Sequence, residues 1–189
     1  MFFLPPGVKT GRLPPPARLP MFKTLFLLIR KIFCHSADDK KTYNATGKYV
    51  FDGDSFTAIR EGQSEPHEIR LFGIDAPERG QEYAKQAREH LIRLVRKKKL
   101  RVEVWDTDSY GRDVAKVYAG GIFVNLEMLR AGYAWYYSYH AGGDKMLAKA
   151  EQEAKEARIG LWQAYAPIPP RKWRRMHAAK KHSRKFYCN

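Results

Sequence analysis

The sequence predicts an α+β, mainly β fold: a five-stranded OB-type Greek-key barrel with three helices, one between strands 3 and 4 and two after strand 5. Three observations predict it. Short β-branched and aromatic runs alternate with Gly and Asp turn residues between Lys48 and Phe72, and a helical-period stretch follows at Gln81 to Lys98. Two more strand-like runs then precede a pair of helical stretches that end in glycine.

The first three strands are Lys48 to Phe51, Ser55 to Ile59 and His67 to Phe72, with Asp52-Gly53 and Glu61-Gly62-Gln63 as their hairpin turns. In Gln81 to Lys98, the residues Tyr83, Ala87, Leu91, Leu94 and Val95 share one helical face, and Lys85, Arg88, Glu89, Arg93 and Arg96 share the other. Leu100 to Trp105 alternates apolar with charged side chains, Val114 to Tyr118 gives the fifth strand, and Asp106 to Arg112 joins them. Asn125 is placed to cap a helix over Leu126 to Ala131 that Gly132 ends. A third helix runs from Asp144 to Arg158, with Leu147, Ala150, Ala154 and Ala157 on its narrow inner face and Gly160 at its close.

The domain so defined covers residues 43–165. Residues 1–42 form a proline-rich segment expected to be unstructured, and residues 166–189 form a basic C-terminal tail, with Pro167, Pro169 and Pro170 marking the end of the domain. The net charge is +15, but residues 43–162 are nearly neutral, with 19 Lys and Arg against 18 Asp and Glu. Residues 163–189 carry 8 basic residues and no acidic one, and residues 1–42 carry 8 against 2. Basic arms on a neutral body suit a polyanion, because each neutralised phosphate releases condensed counterions. Removing residues 171–189 is expected to weaken polynucleotide binding and leave turnover of a dinucleotide nearly unchanged.

Met21 to Phe33 joins the apolar run Leu25 to Ile29 to Arg30 and Lys31. The run is shorter than a secretory signal usually needs and too short to span a bilayer. Two readings stand: residues 21–37 act as an export signal, making the protein secreted or periplasmic, or the protein is cytoplasmic. A membrane-surface contact through residues 21–33 is compatible with either. Cys34 and Cys188 lie in the two tails, outside any zinc-ligand spacing, and their pairing is left open.

Chemistry concentrates in three loops: Asp52-Gly53-Asp54-Ser55, Arg70 to Glu78, and Asp106 to Arg112. Asp54 and Asp75 are hard oxygen ligands suited to Ca²⁺ or Mg²⁺, and no His or Cys cluster competes for a softer metal. Arg70 and Arg112 offer planar forks of donors matched to phosphate oxygens, and Glu78 is placed to orient or deprotonate water. Alternation extended through Arg70, Phe72 and Ile74 turns Arg70 inward among apolar neighbours, where it needs an acid or an anion as partner.

The order DGDS, RLFGIDAPE, DTDSYGR, followed by VNLEMLRAGYAW and AEQEAKEARIGLW, resembles the staphylococcal (micrococcal) nuclease, or thermonuclease, family over roughly Tyr43 to Trp162. The resemblance implies metal ligation by Asp54, Asp75 and the main-chain carbonyl of Ala76. It implies catalytic roles for Arg70, Glu78 and Arg112, and substrate binding by Tyr110. It further implies Ca²⁺ as cofactor, with Mg²⁺ as the alternative, and DNA and RNA as substrates of a monomeric endonuclease that leaves 3′-phosphate ends. Ala76 and Ser55 stand where the staphylococcal enzyme has threonines; a backbone carbonyl and a serine hydroxyl preserve what the site needs. The rival reading is a nucleic-acid-binding module of the same fold with weak catalysis. Both arginines and all three carboxylates are present, which favours the enzyme.

Overall fold

A computed structural model of the chain describes residues 41–138 and 142–186, with side chains described as far as Ala178. Residues 1–40 lie outside the described residues, and with them the stretch 21–37 and Cys34; so do residues 139–141 and Cys188. In order, the elements are β1 (Thr42–Val50), β2 (Ser55–Arg60), β3 (Pro66–Leu71), β4 (Ile74–Asp75), α1 (Ala84–Val95), β5 (Lys99–Thr107) and β6 (Asp113–Ala119). After these come β7 (Ile122–Phe123), α2 (Val124–Arg130), β8 (Trp135–Tyr136), α3 (Lys145–Glu156), a 3-10 turn (Gly160–Gln163) and α4 (Pro170–Phe186).

The five long strands form the barrel that strand order predicted. The sheet runs β3-β2-β1-β5-β6-β7, and a parallel pairing of β3 with β6 closes it, with Ile69 opposite Asp113 and Leu71 opposite Ala115. Closure removes two free strand edges. It also brings the ends of β3 and β6, and hence Arg70 and Arg112, to one rim of the barrel. The short strands β4 and β8 pair outside it, with Asp75 opposite Trp135.

Alternation fills the interior. Phe56, Ile69, Leu71, Leu100, Val102 and Val117 point inward and are buried, and α1 lays Ala87, Leu91, Leu94 and Val95 across the barrel. Each such large side chain contributes about 2 kcal/mol by leaving water. β1 is longer than the apolar run alone indicated, starting at Thr42 and bulging between Gly47 and Val50. At that bulge Gly47 exchanges backbone bonds with Lys97 and Lys98, just past α1, at 2.9 and 3.0 Å. A Cβ there would sit 2.0 Å from the Val95 carbonyl oxygen, so only glycine fits.

Two sequence expectations are corrected. Asn125 does not cap α2; it lies within the helix, wholly buried. Its amide donates to the carbonyls of Phe72 (2.8 Å) and Ala115 (3.1 Å), and its oxygen accepts from Val117 N (3.0 Å). It ties the β3–β4 turn and β6 to α2, whose N-cap position is held by Phe123. The chain also does not trail away after the prolines: Pro170 begins α4, a fourth helix. Pro suits a first helical position because its missing N–H would lack a partner there anyway. By contrast, Asp144 does cap α3, accepting from the amides of Met146 (3.1 Å) and Leu147 (3.3 Å). Among the described residues no helix is long and apolar enough to cross a membrane.

Candidate active site

The turn after β1 delivers Asp54 against the loop that follows β4. Gly53 makes this possible: a Cβ there would lie 2.6 Å from the Ala76 Cβ and 2.8 Å from the Ala87 Cβ, so the turn packs flush against both. Asp52 Oδ1 fixes the turn by accepting the amides of Asp54 (3.1 Å) and Ser55 (2.8 Å). Burial, reinforced by the neighbouring Asp54 charge, pushes the Asp52 carboxyl up to about 6.

Asp54 and Asp75 are almost fully buried, at 3% and 4% exposure, and Arg70 lies between them. Its Nη1 donates to Asp54 Oδ1 and its Nη2 to Asp75 Oδ1, each at 3.0 Å. Asp54 also accepts from the Ala76 amide (2.8 Å, Oδ2) and the Ser55 hydroxyl (2.8 Å, Oδ1). Burial works against the Arg70 charge, but the Asp54 and Asp75 carboxylates outweigh it and hold the guanidinium above its ordinary pKa. The inward direction expected for Arg70 is corrected: Ile69 and Leu71 take the core side of β3, and the strand ends at Leu71, so Arg70 faces the rim. The acidic partners expected for it are there.

On the other side of Asp54 stands Arg112, in the loop between β5 and β6. Asp108 clasps it, Oδ2 accepting from Nε at 2.8 Å and lying 2.7 Å from Nη2, while Oδ1 accepts the amides of Tyr110 (2.9 Å) and Arg112 (3.1 Å). Burial alone would raise the Asp108 carboxyl; these bonds outweigh it and hold the group below its ordinary pKa. Arg112 Nη1 reaches the Ser55 hydroxyl at 3.4 Å, which links the two arginines through Ser55 and Asp54. Tyr110 stands at the mouth of the site, 83% exposed, its ring 5.4 Å from the Arg112 guanidinium.

Glu78 follows Asp75 by three residues, and its amide donates to Gln81 Oε1 at 2.9 Å. Its carboxylate meets Arg174, a residue that sequence reasoning left in the tail. From α4, Arg174 bonds Glu78 Oε1 and reaches Asp75 Oδ2 at 3.2 Å and Oδ1 at 3.4 Å. Burial opposes its charge, and Asp75 together with Glu78 outweighs burial and raises its pKa. No local pattern announces this contact, because Arg174 is 99 residues from Asp75 in sequence.

Asp54, Arg70, Asp75, Glu78 and Arg112, singled out in sequence, therefore converge in a network that runs Asp108, Arg112, Ser55, Asp54, Arg70, Asp75, Arg174 and Glu78. The donor set is one for a hard cation: two buried carboxylates separated by one guanidinium, with no thiolate or imidazole bonded to them among the described residues. Among the described residues no three His, Cys, Asp or Glu side chains form a ready-made metal cage. A cation held by Asp54 and Asp75 would therefore complete its shell with backbone or water oxygens, as hard cations commonly do.

The chain is similar in sequence to known proteins. The family described as Staphylococcal nuclease homologue matches residues 68–164. A probable staphylococcal-like nuclease of Oryza sativa subsp. japonica is 46% identical over 109 residues, which is 58% of this chain and 33% of the rice protein. The chain thus spans about a third of that relative's length. An uncharacterized endonuclease of Haemophilus influenzae is 34% identical across 80% of this chain and 83% of its own. The ParB protein of Escherichia coli is 35% identical across 67% of this chain and 76% of its own. A family match over about half the chain, and a relative aligned over most of both lengths, place this protein in the staphylococcal nuclease homologue family.

Proposed function

We propose that the chain is a metal-dependent nuclease that hydrolyses phosphodiester bonds of DNA, RNA or both, cutting within the strand and leaving 3′-phosphate ends. The observation that supports it is the continuous network in which Arg70 is bonded to both Asp54 and Asp75, with Glu78 and Arg112 on either side. Ca²⁺, or Mg²⁺ in its place, would be held by Asp54, Asp75 and the Ala76 carbonyl, and would supply positive charge against the phosphoryl oxygens.

This chain's own residues do the rest. Arg70 and Arg112 bind the phosphate oxygens with their planar donor forks and stabilise the charge that accumulates as water adds to phosphorus. Their carboxylate partners keep both guanidinium groups oriented before substrate arrives, so little ordering remains for the reaction itself. Glu78 accepts the proton of the attacking water. The new P–O bond forms as the P–O5′ bond breaks, and the departing oxygen takes up a proton to become the 5′-hydroxyl. Tyr110, at the mouth, contacts the phosphate of the bound nucleotide.

A second reading, a binding module with weak catalysis, draws on the Arg174 contacts, because they occupy the carboxylates that catalysis needs free. Cleavage of a labelled single-stranded DNA with Ca²⁺, Mg²⁺ or chelator decides between them, comparing the parent with Glu78→Gln and Arg112→Ala. Metal-dependent cutting that falls by 10²-fold or more in both variants is expected, on the order found when one transition-state contact is removed. Binding without cutting in every metal would overturn the nuclease reading.

A further inference from the structure

Beside the site lies a groove of 450 Å³ that the chemistry described so far does not use. Its near end is made by Asp52 and Pro77, from the same two loops that carry Asp54 and Glu78, so it lies next to the loops of the reacting centre. Its walls are Tyr49 and Phe51 from the end of β1 and Arg79, Lys85 and Arg88 from the start of the α1 region.

The aromatic wall has no packing reason to be exposed. Val50, between the two rings in sequence, is buried at 2%, whereas Tyr49 is 57% and Phe51 44% exposed. The rings meet edge to face at 5.2 Å, so the pair covers one face of one ring and does not stack the two rings on each other. The cationic wall is equally placed. Arg88 is anchored by its Nε to the carbonyls of Val50 (2.9 Å) and Phe51 (3.2 Å), and its guanidinium lies 5.6 Å from the Tyr49 ring. The Lys85 side chain is 87% exposed, with Glu89 3.9 Å away as a weak, solvated partner. Arg79 is exposed as well. The one carboxylate lining the groove, Asp52, is held by two backbone amides at its turn.

Exposed rings on one wall and cations on the other, in a groove flanked by the loops that carry Asp54 and Glu78, match the chemistry of an unpaired polynucleotide. Ring faces take the bases and the cations take the backbone. A paired duplex offers its phosphates here but not its base faces. We propose that this groove is a binding subsite for the single strand next to the scissile phosphate, with bases stacked on Tyr49 and Phe51 and phosphates held by Arg79, Lys85 and Arg88. The proposal rests on the nuclease reading for its direction along the strand, and it selects single strands over duplexes.

The test compares the parent with two double variants, Tyr49→Ala/Phe51→Ala and Arg79→Ala/Lys85→Ala. Three substrates are used: a 12-nucleotide single-stranded DNA, the corresponding duplex, and a thymidine nitrophenyl phosphodiester that reaches only the reacting centre. For the aromatic variant, KM on the single strand is expected to rise about ten-fold with kcat within two-fold, while KM on the small ester and on the duplex stays put. The cationic variant raises KM on single strand and duplex alike and flattens the salt dependence of both. An unchanged KM on the single strand overturns the proposal, and so does an equal rise on the small ester. If the parent cuts none of the three, the nuclease reading fails instead. Fluorescence anisotropy of the labelled single strand then decides the groove on its own, about ten-fold weaker binding by the aromatic variant supporting it and equal binding overturning it.

Discussion

Arg174 and a cation compete for the same oxygens, and this competition can be measured without any turnover. In the structure Arg174 spends both terminal nitrogens on Asp75, at 3.2 and 3.4 Å, and one of them also on Glu78. Replacing it by glutamine removes a full positive charge from beside two carboxylates. Whether the guanidinium blocks the cation outright or only repels it, the sign is the same: the cation binds more tightly. The size is set by exposure. The Asp75 side chain is 5% exposed but that of Arg174 is 47% exposed, so solvent screens the pair and its worth sits near the top of the range for exposed ion pairs, about 1 kcal/mol. That corresponds to a roughly five-fold fall in Kd, larger at low ionic strength. Calorimetric titration of Ca²⁺ into chelator-stripped parent and Arg174→Gln protein reads it directly. Asp75→Asn should weaken binding in both backgrounds and change the difference between them, because the two substitutions share one carboxylate and are not independent. A Kd unchanged or weakened by Arg174→Gln would refute the reasoning.

Removing residues 171–189 takes away most of α4 together with Arg174. It should therefore weaken polynucleotide binding and its salt dependence, as its charge predicts, while tightening Ca²⁺ as Arg174→Gln does; a deletion that leaves the Ca²⁺ titration untouched argues that α4 does not hold Asp75 in solution. Asp113 is buried at 4% with Tyr43 Oη and Arg60 Nη2 each 2.7 Å from Oδ2 and His67 Nε2 at 3.0 Å, though the His67 contact lacks hydrogen-bond alignment. Burial alone would raise its carboxyl, and these partners outweigh burial and hold it below the ordinary range. Its contribution is then fully present above about pH 4 and is lost as pH falls through the lowered native value. Asp113→Asn should cost about 3 kcal/mol in urea unfolding at pH 7, narrowing below pH 4, and a gap independent of pH would contradict the ion-pair account. Asn125→Ala takes a partner from three buried backbone groups, of which the Ala115 carbonyl keeps the Phe72 amide at 2.8 Å, and should cost about 3 kcal/mol by the same assay, whereas a cost under about 1 kcal/mol would mean that water replaces the amide.

Strands, helices and most of the site were legible because each is written locally. The long strands alternate at period two, α1 shows its inner face at helical spacing, and the three acidic and basic loops sit where strands end. Asp54, Arg70, Asp75, Glu78 and Arg112 all come to one rim because their loops fall at the ends of strands that the barrel closes together. What failed were inferences that carried a local rule past its range. The alternation was extended through Phe72 and Ile74, but β3 ends at Leu71 and Gly73 turns the chain at a φ of 73°, so the parity assigned to Arg70 was wrong even though its need for an acid was right. Asn125 has the residue type of a helix cap, but α2 already begins at Val124, so its side chain turns to the Phe72 and Ala115 carbonyls and the Val117 amide instead.

The C-terminal helix was illegible for a different reason. Prolines end a helix when they fall inside it and begin one when they fall at its first position, and Pro167, Pro169 and Pro170 carry both meanings until the following turn is seen to bond. The bond from Trp173 N to Pro169 O, at 3.0 Å, is that turn. Charge was equally ambiguous: eight basic residues without an acidic one read as an arm for a polyanion, because the acids that one of them pairs with lie about a hundred residues away in Asp75 and Glu78. A basic segment is thus only as free as the nearest uncompensated carboxylate allows. This site buries Asp54 and Asp75 beside Asp52 and Glu78 and gives them one fixed guanidinium, Arg70, from the barrel itself. Such a concentration of negative charge draws in a further cation, and α4 supplies one through Arg174. The demand of the site for a cation thus ties α4 to the barrel through Arg174, beside the bond that the Gln81 amide donates to the Ile168 carbonyl just before the helix.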